Sequence, residues 1–224
     1  MERPLLFNTC PGLKGSLAWM PLGEYPTPVE RLNGLCDVER LSSFYIKRDD
    51  LSSPYYGGNK VRKLEFILAD ARERGFEHLI TFGAVGSNHV LATVIHGERL
   101  GIRTTAVLWD QPNAAYVRKN LLLDSDHGAS VALTGTFLAA PFRGLAELLR
   151  GTDLSRLKRP YIVFPGGSSL LGSLGYVDAA LELKAQVDQG LLPEPEFIFV
   201  TYGSGGTAGG LITGLKLAGM TGRV

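Results

Sequence analysis

Cysteine is scarce in this chain: Cys10 and Cys36 are the only two among 224 residues. Two thiols build no disulfide framework, and these match no metal-ligand spacing, so the expectation is a reducing compartment and no metal. An excess of one charge sign is also missing. Lys and Arg number 23 against 22 Asp and Glu, a formal net charge of +1, which gives no ground for a nucleic-acid or anionic-membrane partner. No apolar run approaches membrane-spanning length, and the N-terminus, with Glu2, Arg3 and early prolines, has no hydrophobic leader. A cytoplasmic protein is therefore expected. His96 and His127 have no acidic partners at metal spacing. The Gly-Lys-Ser/Thr ending of a nucleotide P-loop is absent, as is an early dinucleotide fingerprint followed by a ribose-binding acid, which weakens ATP and NAD readings.

Glycine is abundant, 28 residues, and it clusters at the ends of apolar runs, as expected of loops at strand ends. Short apolar, β-rich runs predict strands at 44–47, 79–82, 104–108, 130–133, 161–164 and 197–201. Between them, helices are expected over 60–74 with Asn59 as cap, from Ser87 or Asn88 to Gly101, and over 120–127, 142–150, 174–189 and 208–217. Strands alternating with helices predict an α/β architecture with mostly parallel sheets, whose ligands sit at the carboxyl ends of strands. Weak domain boundaries fall near 60–75 and 151–165.

Three of the glycine-rich turns carry chemistry. Gly57-Gly58-Asn59-Lys60 places a lysine at a loop–helix junction, where an amine can form an imine with an aldehyde cofactor. Taken alone, Lys60 reads as a solvent-facing helix lysine; the preceding Gly-Gly-Asn shifts that reading. Lys63, one turn on, shares roughly the same face and suits a phosphate, although Arg62, Lys63 and Glu65 also fit an ordinary charged helix surface. Gly203-Ser204-Gly205-Gly206-Thr207 follows a strand and opens a helix, so its N–H groups and hydroxyls suit an anion; the bland alternative is a tight turn. Ser87-Asn88-His89 opens another helix. Asn88 suits a cofactor hydroxyl and Ser87 a substrate carboxylate or a proton transfer, against a simple N-cap role. His89 fits a base or a packing position equally well.

Taken together, LGEYPTP at 22–28, YIKRDDL at 45–51, GGNKVRK at 57–63, GAVGSNH at 83–89, NLLLD at 120–124, PGGSS at 165–169, LGYVDAA at 174–180 and YGSGGT at 202–207 resemble the fold-type II pyridoxal-phosphate enzymes. The resemblance is specifically to the family of 1-aminocyclopropane-1-carboxylate deaminase and D-cysteine desulfhydrase. It implies a tryptophan synthase beta-like α/β fold of two open parallel-sheet domains with pyridoxal 5′-phosphate between them, usually in a homodimer. Residues 1–60 would begin the large domain, 61–164 form the smaller α/β domain, and 165–224 return to the large domain with the phosphate loop.

By residue, the resemblance makes Lys60 the imine-forming lysine and Ser87 a catalytic, substrate-contacting serine. It makes Asn88 the contact to the pyridoxal 3-hydroxyl. Lys63, Ser204, Gly205, Gly206 and Thr207 become the phosphate site, and His89 joins Ser87 and Asn88 on the substrate side. The implied activity is a lyase or deaminase on a small amino acid: D-cysteine desulfhydrase-like β-elimination to pyruvate, ammonia and sulfide, with ring opening of the cyclopropane amino acid as runner-up. A non-catalytic pyridoxal-phosphate-binding or structural fragment is the third reading. Two departures stand out. The family commonly has glutamine where this chain has Gly86, which is expected to enlarge the substrate side of the loop. Family members also continue past the length of this chain, so the large domain is expected to be incomplete here.

Overall fold

A computed structural model of the chain describes residues 4–34, 36, 42–153 and 158–224. Its centre is a four-stranded parallel sheet of β3 (His78–Ala84), β4 (Arg103–Trp109), β5 (Ser130–Thr134) and β6 (Tyr161–Val163), in the order β5-β4-β3-β6. β3 and β4 pair along seven residues, from His78 opposite Arg103 to Ala84 opposite Trp109. Both run a residue or more beyond the apolar cores that the sequence marks at 79–82 and 104–108. A separate antiparallel pair joins β1 (Val29–Arg31) to β2 (Tyr45–Lys47).

Strand alternation decides what each face of the main sheet meets. Ile80, Val107 and Ala132 point to one side, where Ala140 of α5 (Ala140–Gly151) and the half-buried Phe82 and Trp109 complete a cluster. Ala106 and Leu108 point to the other, against Val90 and Val94 of α3 (Asn88–Arg99) and Leu121 of α4 (Ala115–Asp126). Beside them Leu79 and Val163 join Leu64, Ile67, Leu68 and Ala71 of α2 (Lys60–Glu73) and Ala92 of α3. Each fully buried Val, Leu or Ile among them contributes about 1.5–3 kcal/mol of transfer free energy.

A second packed region lies on the far side of α2. There α6 (Leu170–Asp188) and α7 (Gly206–Leu217) bury Tyr176, Ala180, Leu183, Leu211 and Leu215 together, with Val29 and Tyr45 of the small sheet against them. Glycines set the close approach. A Cβ on Gly175 would lie 2.1 Å from the Arg62 carbonyl oxygen of α2, and one on Gly214 would lie 2.6 Å from that of Val177 in α6. Near the start of the chain, the short α1 (Leu6–Thr9) packs Leu6 and Phe7 onto Phe66, Val177 and Leu181.

Several expectations are corrected. Helix α4 begins at Ala115 and not at 120, and α6 begins at Leu170, where the Ser169 hydroxyl caps it by accepting from the Gly172 N–H at 3.0 Å. Residues 197–201 form no strand: their ladder partner is a lone bridge from Phe197 to Arg223, with the Ile198 N–H donating to the Arg223 carbonyl at 2.7 Å. An extended apolar run becomes a strand only when a neighbour takes up its backbone groups. Asn59 is not a side-chain cap; its own backbone is already helical. Among the described residues no helix is long and apolar enough to cross a membrane, and no cluster of side chains suits a metal ion.

Candidate active site

The turn before α2 requires its two glycines. A Cβ on Gly57 would sit 2.0 Å from the Asp50 carbonyl oxygen, and Gly58 has φ +115°. The Gly58 N–H donates to the Asp49 carbonyl at 2.8 Å, and the Ser52 hydroxyl bridges the Gly58 N–H and carbonyl, both at 3.1 Å. This pinned loop delivers Lys60 to the first turn of α2, where its Nζ donates to Asn59 Oδ1 at 2.8 Å. Burial lowers the Lys60 pKa from the usual lysine range.

One turn on, Lys63 is 2% exposed. Its Nζ donates to the Gly166 carbonyl at 3.1 Å and lies 3.4 Å from Ser168 Oγ. Burial, reinforced by the charge of Lys60, pushes its pKa down to about 8. The start of α7 meets this lysine: a Cβ on Gly206 would stand 3.2 Å from Lys63 Nζ and 2.6 Å from Ser168 Oγ. Gly205, with φ +81°, turns the chain into that helix, and Ser204 Oγ is 2.6 Å from Ser168 Oγ. Unsatisfied N–H groups of a helix, a lysine and hydroxyls thus converge on a space that any side chain at 206 would fill. That is the chemistry of a phosphate cradle.

Helix α3 forms the opposite wall. Ser87 caps it, its Oγ accepting from the Val90 N–H at 3.3 Å, which leaves the hydroxyl proton free. Asn88 Oδ1 accepts from the Tyr56 hydroxyl at 3.0 Å and from Asn120 Nδ2 at 2.9 Å. His89 is buried, with Nε2 3.3 Å from Thr81 Oγ1; burial, with Lys60 and Lys63 adding, pushes its pKa down to about 3. The ring is neutral, and although nearly buried it belongs to the lining of the same cleft as the two lysines. Lys60, Lys63, Ser87, Asn88, Ser204, Gly205 and Thr207 all line one cleft of about 1500 Å³.

The floor of the cleft rests on a charge network centred on Arg62, one of the three residues for which a charged helix surface is the alternative reading of the sequence. Arg62 is 2% exposed and Glu182 1%. Arg62 reaches Asp49 at 2.9 Å through Nη2 and Glu182 at 2.9 Å and 3.0 Å through Nη2 and Nη1. Lys47 donates to Glu182 at 2.5 Å, the Tyr176 hydroxyl donates to Asp49 at 2.6 Å, and Arg62 stacks 4.3 Å over the Tyr25 ring. Burial pushes Asp49 and Glu182 up, but Arg62 outweighs it and holds both carboxyls low. Glu65, also buried, accepts from the Leu22 and Gly23 N–H groups and from Trp19 Nε1. The charged surface reading of Arg62, Lys63 and Glu65 is therefore wrong.

Gly86 does not enlarge the loop either. A Cβ there would meet Gln111 Nε2 and Val117 Cγ2 at 2.9 Å and Tyr116 Cε2 at 3.0 Å, so neighbouring side chains already fill the space. Tyr56, Asn120 and Ser168 are contacts of the site that the sequence reading assigned no role. Asn120 and Ser168 lie within motifs it quoted, and each announces itself only through its partner.

An α/β fold of this topology, with a lysine at a helix start facing an anion cradle on a second helix, defines the fold-type II class of cofactor-dependent enzymes. Residues 20–224 match the family described as pyridoxal-phosphate dependent enzyme, and the chain belongs to it. Its cofactor is pyridoxal 5′-phosphate. Among curated relatives, the chain is 40% identical over 195 residues to a D-cysteine desulfhydrase of Yersinia enterocolitica, covering 85% of this chain and 57% of the relative. It is 39% identical over 174 residues to a putative 1-aminocyclopropane-1-carboxylate deaminase of Pyrococcus abyssi, covering 76% and 50%. The crystal structure of an ACC deaminase homologue superposes with a TM-score of 0.83 at 32% identity, covering 99% of this chain and 64% of that one. The chain thus spans about half to two thirds of the length of these relatives.

Proposed function

We propose that this chain carries the lysine, the phosphate cradle and the substrate wall of a pyridoxal-phosphate-dependent lyase or deaminase acting on a small amino acid. The observation that carries the reading is the division of labour on α2: Lys60 and Lys63, one turn apart, line one cleft, and Lys63 meets the start of α7. Lys63, Ser204, Gly205, Gly206 and Thr207 would hold the phosphate, Lys60 the aldehyde carbon, and Asn88 the ring oxygen. When bound, the cofactor supplies an electron sink for the pair left on a substrate α-carbon.

The chain's own residues account for the rest. Lys60 Nζ, with its pKa lowered by burial, is free base over more of the neutral range than an exposed lysine and is the atom that holds and moves a proton. Ser87 keeps its hydroxyl proton to donate to a carboxylate. His89 stays neutral, so it adds no charge beside the lysines. By similarity to the desulfhydrases the favoured reaction is β-elimination from D-cysteine to pyruvate, ammonia and sulfide; similarity to the Pyrococcus abyssi protein supports cyclopropane ring opening as the second reading.

We also read 1–60 with 165–224 as one domain and 61–164 as the other, since the α6–α7 cluster takes in Val29 and Tyr45 while the parallel sheet packs separately. Family resemblance supports a homodimer, which light scattering reads directly. For the site itself, the protein is incubated with pyridoxal phosphate and reduced with borohydride, and its peptides are weighed. Label on the Lys60 peptide, lost in Lys60→Ala, is expected; an unlabelled Lys60 overturns the cofactor role. Sulfide release from D-cysteine against L-cysteine, and oxo-acid release from the cyclopropane amino acid, then separate the two reactions. Label without turnover leaves a cofactor-binding piece.

A further inference from the structure

Asn88 is held by two residues that the mechanism above does not use. Its Oδ1 accepts from the Tyr56 hydroxyl at 3.0 Å and from Asn120 Nδ2 at 2.9 Å. An amide oxygen has two lone pairs, so this carbonyl is saturated. Each donor is itself fixed. Asn120, 6% exposed, also donates to the Gly86 carbonyl at 2.9 Å. The backbone carbonyl of Tyr56 accepts from His96 Nε2 at 3.3 Å, and the Tyr56 ring packs against the cluster around Leu64 and Leu79. Tyr56 therefore spans from the last turn of α3 back to its first residue, and Asn120 ties that residue to α4.

A saturated carbonyl leaves the Asn88 side chain with its two Nδ2 protons as its free hydrogen-bonding capacity, and Asn88 lines the cleft. An ordinary asparagine turns its amide to suit either a donor or an acceptor; this one cannot turn without breaking two bonds. We propose that Tyr56 and Asn120 are positioning residues that lock Asn88 as a one-way donor into the cleft, so that the site selects a ring oxygen in its ionised form. The inference rests on the pyridoxal-phosphate reading of the cleft and adds to it a cause for the ionisation state of the bound ring.

The neighbouring ionisable groups are consistent with a lock that stays closed around neutral pH. Burial raises the Tyr56 phenol, with the charge of Asp124 adding, so Tyr56 remains a donor. Asp124 is fully buried one turn beyond Asn120, and burial pushes its pKa up to about 7. His89 is neutral; Lys60 and Lys63 stand beside it and favour an anion, and the other titratable groups that line the cleft are Tyr45, Lys47, Asp49, Tyr176, Glu194, Glu196 and Tyr202.

Two measurements test this. In the first, the pyridoxal-phosphate-loaded protein is titrated by absorbance. Tyr56→Phe removes one donor to the Asn88 carbonyl, and the midpoint of the cofactor's protonation-dependent band is expected to rise by about 0.5–1 pH unit. Asn120→Ala shifts it in the same direction, and Asn88→Ala shifts it no less than either. An unmoved midpoint in Tyr56→Phe, with Lys60 still labelled by borohydride, overturns the lock and leaves the cofactor reading intact. The second measurement needs no cofactor: the side-chain amide signals of Asn88 in the ligand-free protein, assigned by their loss in Asn88→Asp. One sharp, well-dispersed pair that broadens or moves toward solvent-like positions in Tyr56→Phe supports the lock, whereas signals indifferent to both Tyr56→Phe and Asn120→Ala refute it, even where Lys60 takes no label.

Discussion

Arg62 binds partners from three separate stretches of chain: Thr27, Asp49 and Glu182. Removing it strips Asp49 of its ion-pair partner and leaves the buried Glu182 with Lys47 alone, so Arg62→Met is expected to cost about 3–5 kcal/mol in urea unfolding. Replacing Arg62, Asp49, Glu182 and Lys47 together with apolar residues should recover much of that loss, because the penalty lies in the stranded charges. The sequence hid this residue for a physical reason. Apolar spacing at Val61, Leu64, Ile67 and Leu68 marks one buried stripe, but α2 runs between two packed layers and is buried on nearly every side. A charged residue inside such a helix looks like surface until its counter-ions, up to 120 residues away, are placed beside it. Lys60 was legible because its signal is local: the two glycines that must precede it are written next to it.

At the scale of the element, α6 shows what a helix needs besides periodicity. Ser169 caps it and Gly172 and Gly175 let it lie against its neighbours, Gly172 on the Gly167 carbonyl and Gly175 on α2. Ser169→Ala is expected to lower stability by about 1 kcal/mol. Gly175→Ala places a methyl 2.1 Å from a backbone oxygen that has nowhere to go, and a loss of about 3 kcal/mol or more is expected in the same unfolding assay. The boundaries of the helix at 174 and of α4 at 120 were set too late for one reason. Apolar residues in the first turns, Leu170 and Tyr116 among them, face solvent, so the apolar spacing there marks no single buried face although the backbone is already helical. The 197–201 run misled in the opposite sense, since strand character depends on a partner that no local pattern records.

For the molecule as a whole, three carboxyls, two buried and one half-buried, set a pH dependence. Burial raises Glu65 and Asp124 to about 7 and Asp178 to about 6. The native state thus holds protons that the unfolded chain releases from about pH 4 upward, so these contributions are full below that point and are lost as pH rises through 6 and 7. Asp49 and Glu182 act with the opposite sign and lose their contribution only in acid, as pH falls through their depressed values. Asp124→Asn removes one rising proton affinity. Its melting temperature should match wild type near pH 4 and exceed it at pH 8 by the equivalent of on the order of 1 kcal/mol. The class of the fold and the lysine, serine–asparagine and glycine-loop positions were all legible in sequence, because each is a local turn with its own chemistry. What was not legible is the connection of these turns through α2. Residues 60 and 63 look into the cleft while 62 and 65 look into the scaffold, so the two jobs are interleaved along six positions of one screw. An inserted or deleted residue there would rotate everything beyond it by about 100°, trading a cleft lysine for a buried arginine. Side chains in this stretch can be exchanged one at a time, but its length admits no change, and variation among natural or engineered descendants of the chain should leave the residue count from Gly57 to Glu65 untouched.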